Sequence, residues 1–347
     1  MKLAVKRTYF GDRLCFPDVV PDKLLDVRAA YARQLVQEGA HRDDALLHSQ
    51  AEIQGDLPSL LQADPHLSVL RRVLDWALTG VASGELEEAE DCTWSYDKGS
   101  LGPPIGHPRT IWGMMANYPR QRPGDAASGP ASAATPAPAA ALASAPAPGP
   151  QGGGARRNAL GCLKAAGSLA GPYDDLAFPD LSEQVDPEME LAVVIGRRSR
   201  NLNPDTAMNA VAGYVGFCDS GSRDVGALDN NRLGRAKGFD TFSIIGPWFV
   251  TADEIPDPHD LSIRFWVNGE LRQDGSTAEM FHRVPDQLSW LTAALTLVPG
   301  DVVSTGTPAG VSHVYPGDKL RGEVEGLGVI ENTVVRESAQ EEPKATD

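Results

Sequence analysis

Apolar positions in this chain fall mainly into short runs with the character of strands, and only a few stretches carry helical spacing. The chain opens on a strand-like segment at 2–7, followed by helix-spaced apolar positions at 24–36 and 67–78. Asp64-Pro65 is a start signal for the second of these. A strand is predicted at 109–116, closing on the turn Asn117-Tyr118-Pro119. The stretch 186–196 reads DPEMELAVVIG. Its apolar run is rich in β-branched residues, ends at a glycine and is short for a helix, so it predicts a buried strand. Asn203-Pro204-Asp205 reads as a helix start, and 211–218 as another strand ending at Asp219. Short β-runs follow at 248–250, 261–267, 302–305, 319–324 and 329–334, separated by Gly, Pro and Asn268-Gly269 turns, with one helix at 284–297. This order predicts an α+β, mostly β protein with a rolled mixed sheet rather than a doubly wound fold. The expected division is a small N-terminal domain over 1–105, a main domain over 106–340 and a disordered tail at 341–347.

Composition alters that picture in one place. Residues 123–154 are almost wholly Ala, Pro, Gly and Ser, which bury too little apolar area to offset the entropy of ordering them. A flexible insert is expected there, serving as a lid or standing as a neutral insertion. Elsewhere the 41% of hydrophobic residues supplies a full core. The formal charge of −16 leaves no basic surplus to neutralise phosphates, which excludes nucleic acid and an anionic membrane surface as partners. Cys15, Cys92, Cys162 and Cys218 form no CxxC pair, which argues against a thiolate zinc site and fits a reducing compartment. No stretch has the apolar length of a signal peptide or a membrane span, so a soluble cytoplasmic protein is expected.

The predicted strand at 186–196 carries the first candidate chemistry. Side chains on a strand alternate between faces, so Glu188 and Glu190 project to the same side. Two carboxylates held that close repel unless a proton or cation lies between them, and oxygen donors suit a hard divalent ion. The plain alternative is an acidic strand end in solvent. Downstream stand Asp219, Ser222-Arg223-Asp224, Lys237 within AKGFDTF, the Asn268-Gly269-Glu270 turn leading through Gln273 to Gly275-Ser276-Thr277, and Pro299-Gly300-Asp301 leading to TGTPAGV at 305–311.

Taken together and in this order, the motifs resemble the fumarylacetoacetate hydrolase family over about 106–335. The resemblance implies a mixed β-sandwich roll, a homodimer, and one Mg²⁺ or Mn²⁺ held by Glu188, Glu190 and Asp219, with Asp224 as the competitor for the third position. It implies Lys237 as the cation beside the substrate oxygens and Arg223 in support. Thr307, with Asn117 and Tyr118, is implied at the substrate end, although Thr307 and Gly310 also fit plain turn formers. A 2-oxo acid or 1,3-dicarbonyl substrate would chelate the ion through two oxygens.

The sequence departs from the family pattern just after Asn117-Tyr118. An H-x-x-E pair that activates water is common there, and this chain has Gln121 and Gly124, neither of which can act as a base near neutral pH. Gly226 also stands where a substrate-contacting Gln is usual. His313, near the TGTP turn, is the candidate replacement base; its alternative is an ordinary loop histidine. His282 fits a packed position at a helix start, and no partner is evident for His107. The leading expectation is a metal-dependent hydrolase cleaving a C–C bond in a small 2-oxo acid or 1,3-dicarbonyl compound. The runner-up is an isomerase, decarboxylase or dehydratase acting on a 2-oxo acid without hydrolysis. A non-catalytic metal-binding relative is the third.

Overall fold

A computed structural model describes residues 1–84, 86, 90–119 and 159–339. The expected insert at 123–154, the Gln121 and Gly124 positions and the tail at 341–347 lie outside the described residues. The fold is α+β and mostly β, as expected, and its organising element is the strand Met189–Ile195. That strand lies inside a long mixed sheet. From one edge the order is Thr93–Ser95, Lys23–Asp26, Arg13–Phe16, Lys2–Lys6, Ser243–Thr251, Val211–Asp219, Met189–Ile195, Val302–Ser304, Ile111–Met115 and Leu160–Lys164. A second sheet runs Glu270–Ser276, Ser262–Val267, Lys319–Val324, Val329–Arg336 and Leu176–Phe178. Lys2–Lys6 pairs with Ser243–Thr251, so the N-terminal strands continue the main sheet.

Met189–Ile195 is buried along its whole length because it separates two cores. Leu191, Val193 and Ile195 pack with Ile263, Phe265, Leu320 and Ile330 of the second sheet. Ala192 and Val194 face the other way, into a core shared with Leu57, Leu61, Leu70 and Val73 of the N-terminal helices. The four larger side chains contribute on the order of 8 kcal/mol by burial.

Several expected boundaries shift, each for a local reason. The helix expected at 24–36 is a strand, Lys23–Asp26, followed by a helix, Val27–Gln37. Asp26 divides them by accepting from the N–H of Ala29 at 3.0 Å as the helix cap. Helices Arg42–Glu52 and Leu57–Ala63 were not evident from the apolar spacing; the first buries only Ala45 and Ser49. The helix expected at 67–78 is Ser68–Ala82, and Asp64 does receive the N–H of Ser68, at 2.6 Å. The strand expected at 248–250 extends over Ser243–Thr251, and Glu270–Ser276 adds a strand to the second sheet. Among the described residues, no helix is long and apolar enough to cross a membrane.

Candidate metal centre

The strand pair Met189–Ile195 and Val211–Asp219 brings three carboxylates to one end of the sheet. Glu190 stands opposite Phe217, and the Asp219 N–H donates to the Glu188 carbonyl at 2.8 Å. One carboxylate oxygen each of Glu188, Glu190 and Asp219 lies within 4.8 Å of the other two. Asp224, the competitor in the sequence, is held elsewhere by the hydroxyls of Ser182 and Ser222 and the N–H of Glu183.

Met189 carries the backbone between the two glutamates; one edge faces Cys218 of Val211–Asp219, and on the other, beyond the reach of Val302–Ser304, side chains grip it. Its N–H donates to Gln273 Oε1 at 3.0 Å, and its carbonyl accepts from Thr307 Oγ1 at 2.7 Å. Gln273 Nε2 in turn donates to Thr307 at 2.7 Å. Thr307 and the NGE…Q segment therefore fix the register of Glu188 and Glu190. Asn117 acts in the same way on the next loop, donating to the Thr305 carbonyl at 2.8 Å and accepting from the His282 N–H at 2.8 Å. Tyr118 is buried, with its hydroxyl shielded from solvent close to Thr305 and Glu190.

Cations surround the acids unevenly. Lys237 Nζ lies 2.6 Å from Glu188 Oε2 and 3.0 Å from Asp219 Oδ2. Arg223 Nη2 reaches Glu188 Oε1 at 2.8 Å, and its Nε reaches Asp186 Oδ2 at 2.6 Å. Lys164 Nζ meets Asp219 Oδ1 at 2.5 Å. Sequence reasoning missed Lys164, which sits in an unremarkable edge strand. Glu190 is contacted by neutral donors, the Ser304 hydroxyl and the Gly306 N–H, the latter at 2.7 Å.

The titration behaviour follows from those partners. Burial, with the charges of Asp219 and Glu188, pushes Glu190 well above the usual carboxylate range. Burial also works against ionised Asp219, but Lys164 and Lys237 outweigh it and hold Asp219 low. For Lys237, the pull of Asp219 and Glu188 overcomes burial, so the ammonium stays protonated well into the alkaline range. Burial pushes the Tyr118 phenol up, and the charge of Glu190 adds to the effect.

His313 stands one step away from the triad. Its Nδ1 contacts Asp186 Oδ1, and Gln184 lies 2.8 Å from its Nε2. Arg223 stands between this pair and Glu188, so His313 reaches the triad only through Asp186 and Arg223. His107 does find a partner, lying 3.3 Å from Asp56 on the surface. The donor set itself fits a hard divalent cation: three closely spaced oxygen ligands on rigid elements, of which Glu190 has no cationic partner of its own and would give up its proton to an ion.

Residues 139–335 match the fumarylacetoacetate (FAA) hydrolase C-terminal family. An uncharacterized protein of Pyrococcus abyssi is 41% identical over 181 residues, 51% of this chain and 80% of the relative. The human mitochondrial protein named oxaloacetate tautomerase FAHD2A is 42% identical over 182 residues. That match takes in 50% of this chain and 57% of the human protein, so the chain spans little more than half of that relative's length. Among solved structures, maleylpyruvate hydrolase of Sphingobium sp. SYK-6, in complex with manganese(II) and pyruvate, superposes with a TM-score of 0.66 at 26% identity. The superposition covers 97% of this chain and 99% of that one. With more than half of its residues matched and the whole fold shared, this chain belongs to the fumarylacetoacetate hydrolase family.

Proposed function

We propose that this chain is a divalent-metal-dependent enzyme that interconverts the keto and enol forms of a small 2-oxo acid of the oxaloacetate type. Glu188, Glu190 and Asp219 would hold one Mg²⁺ or Mn²⁺. The observation that carries the reading is Lys237, a buried ammonium 2.6 Å from Glu188 and 3.0 Å from Asp219. The likeness to proteins named oxaloacetate tautomerase and maleylpyruvate hydrolase supports a 2-oxo acid.

When bound, the ion supplies Lewis-acid polarisation of the 2-oxo group. Lys237 stays charged and donates to the oxygen on which enolate charge develops, in a site that burial keeps poorly solvated. Arg223 holds Glu188 in place through Nη2 and is itself fixed by Asp186.

Both reactions need a proton acceptor. Enolisation needs one only for the C3 proton, which polarisation of the 2-oxo group by the ion would acidify enough for a solvent water to take it, whereas C–C hydrolysis must also generate a nucleophile by deprotonating water. Gln121 and Gly124 cannot serve as the base for that step. One observation favours hydrolysis as the second reading: His313 is partly exposed and bonded to buried Asp186, a pair that could take a proton from water if the substrate extended that far.

The test is a ¹H NMR time course in D₂O with oxaloacetate and an acylpyruvate, with Mn²⁺ or Mg²⁺ and with a chelator. Metal-dependent deuterium uptake at C3 without cleavage is expected. Cleavage of the acylpyruvate would transfer the assignment to hydrolysis. Neither reaction, with metal bound, would leave a binding protein.

A further inference from the structure

Lys164 is fully buried, with its ammonium against the Asp219 carboxylate. An ammonium has three N–H donors. Those of Lys164 go to Asp219 Oδ1 at 2.5 Å, the Lys237 carbonyl at 2.8 Å and, more weakly, the Ser220 carbonyl at 3.4 Å. While burial pushes its pKa down, the charge and hydrogen bond of Asp219 act against that and favour the ammonium. No donor is left for substrate, so Lys164 is a positioning residue. Gly113 gives it room, since a Cβ there would stand 3.2 Å from Asp219 Oδ2 and 3.8 Å from Lys164 Cδ.

Charge accounting shows what it positions. Glu188 and Asp219 are matched by Lys237, Arg223 and Lys164 through direct contacts. Lone buried carboxylates are strongly destabilising, and a metal ion is the usual compensation where a fold gathers several of them. Here the compensation for Asp219 is covalently part of the chain.

Resting on the assignment of the triad as the metal site, we propose that Lys164 is a built-in counter-cation for Asp219. It takes over the structural half of a metal ion's role, so the chain folds without the ion and keeps the ion for chemistry. Removing Lys164 converts the metal into a folding requirement.

Thermal unfolding of the full chain tests this with wild type, Lys164→Met, Asp219→Asn and the double variant, each in EDTA and in Mn²⁺. Wild type should unfold cooperatively in EDTA. Lys164→Met should lose roughly 10 °C in EDTA, the scale set by leaving a buried charge unpaired. Mn²⁺ should restore most of that loss, and so should adding Asp219→Asn in EDTA, because the double variant no longer buries a lone carboxylate.

An unfolded wild type in EDTA would overturn the proposal. So would a Lys164→Met loss that neither Mn²⁺ nor Asp219→Asn repairs, which would make Lys164 a packing residue. If Lys164→Met does not fold at all, Lys164→Arg and the double variant carry the comparison: both should fold in EDTA, and failure of both would reject the idea. Should Mn²⁺ move no variant, the metal assignment fails, and the EDTA comparison alone still decides whether Lys164 compensates Asp219.

Discussion

The N–H of Asp219 donates to the carbonyl of Glu188 at 2.8 Å, which ties the third carboxylate of the site to the first across a strand pair. The triad is therefore set by sheet register rather than by loop conformation, and a single ligand can be altered without moving the others. Glu188→Gln should weaken Mn²⁺ binding roughly tenfold or more, because affinity at such sites follows the charge of the ligands. It should also free Lys237 and Arg223 from their shared partner. Calorimetric titration with Mn²⁺ measures the first effect, and unchanged affinity would remove Glu188 from the ligand set.

Glu190 makes metal binding pH-dependent. Its raised pKa means that the metal-free site keeps a proton on this carboxylate at pH values where an exposed Glu is ionised. A metal ion must displace that proton, so affinity should fall as pH falls, and binding should release protons. Titrations in two buffers of different ionisation enthalpy count the protons released. Binding that releases none near the acid end of the stable range would contradict this account.

His259 gives a second pH effect, away from the triad. Burial, followed by the charge of Arg283, lowers its pKa from 6.5, and its Nε2 accepts from the N–H of Val284 at the start of the helix Val284–Ala294. Below 6.5 the unfolded chain takes up a proton here before the folded chain does. Stability from this residue is thus complete above 6.5 and is lost as pH falls through the window below it. His259→Gln should flatten the slope of denaturant stability over that window, and an unchanged slope would dismiss the assignment.

Gly310 ties the TGTPAGV loop to the site. It has φ +105°, and a Cβ would come within 2.0 Å of the Arg272 carbonyl oxygen, a backbone atom next to Gln273. Gly310→Ala should cost about 2–4 kcal/mol, combining left-handed strain with the clash. Gly317 has φ +98° with nothing within 4 Å, so Gly317→Ala should cost only about 1 kcal/mol. Equal losses in thermal unfolding would show that the contact with Arg272 does not matter.

Much of this architecture can be read from the chain, and the exceptions have physical causes. ELAVVI is unmistakable as a strand because both of its faces are buried, and the spacing of Glu188 and Glu190 follows from its period of two. The helices Arg42–Glu52 and Leu57–Ala63 escape because one is barely buried, with Leu47 exposed, and the other is only two turns long. Lys164 escapes for another reason. Its partner lies 55 residues away, and the contact exists only because the edge strand Leu160–Lys164 ends beside the end of Val211–Asp219. Long-range charge pairs leave no local periodicity to read. The link from His313 through Asp186 and Arg223 to Glu188 is hidden in the same way, since its members come from separate elements.

The most direct test of the account is the rate of C3 deuterium exchange of oxaloacetate at saturating Mn²⁺, compared between wild type and Lys237→Met, with Mn²⁺ affinity measured alongside. Lys237 shares Glu188 and Asp219 with the proposed ion and contributes charge stabilisation rather than coordination. Exchange should fall about 100-fold or more, the scale of losing one preorganised donor to developing negative charge, while Mn²⁺ binds at least as tightly. Exchange that persists at the wild-type rate with metal bound would contradict the account, because it would leave the buried ammonium without a part in the chemistry.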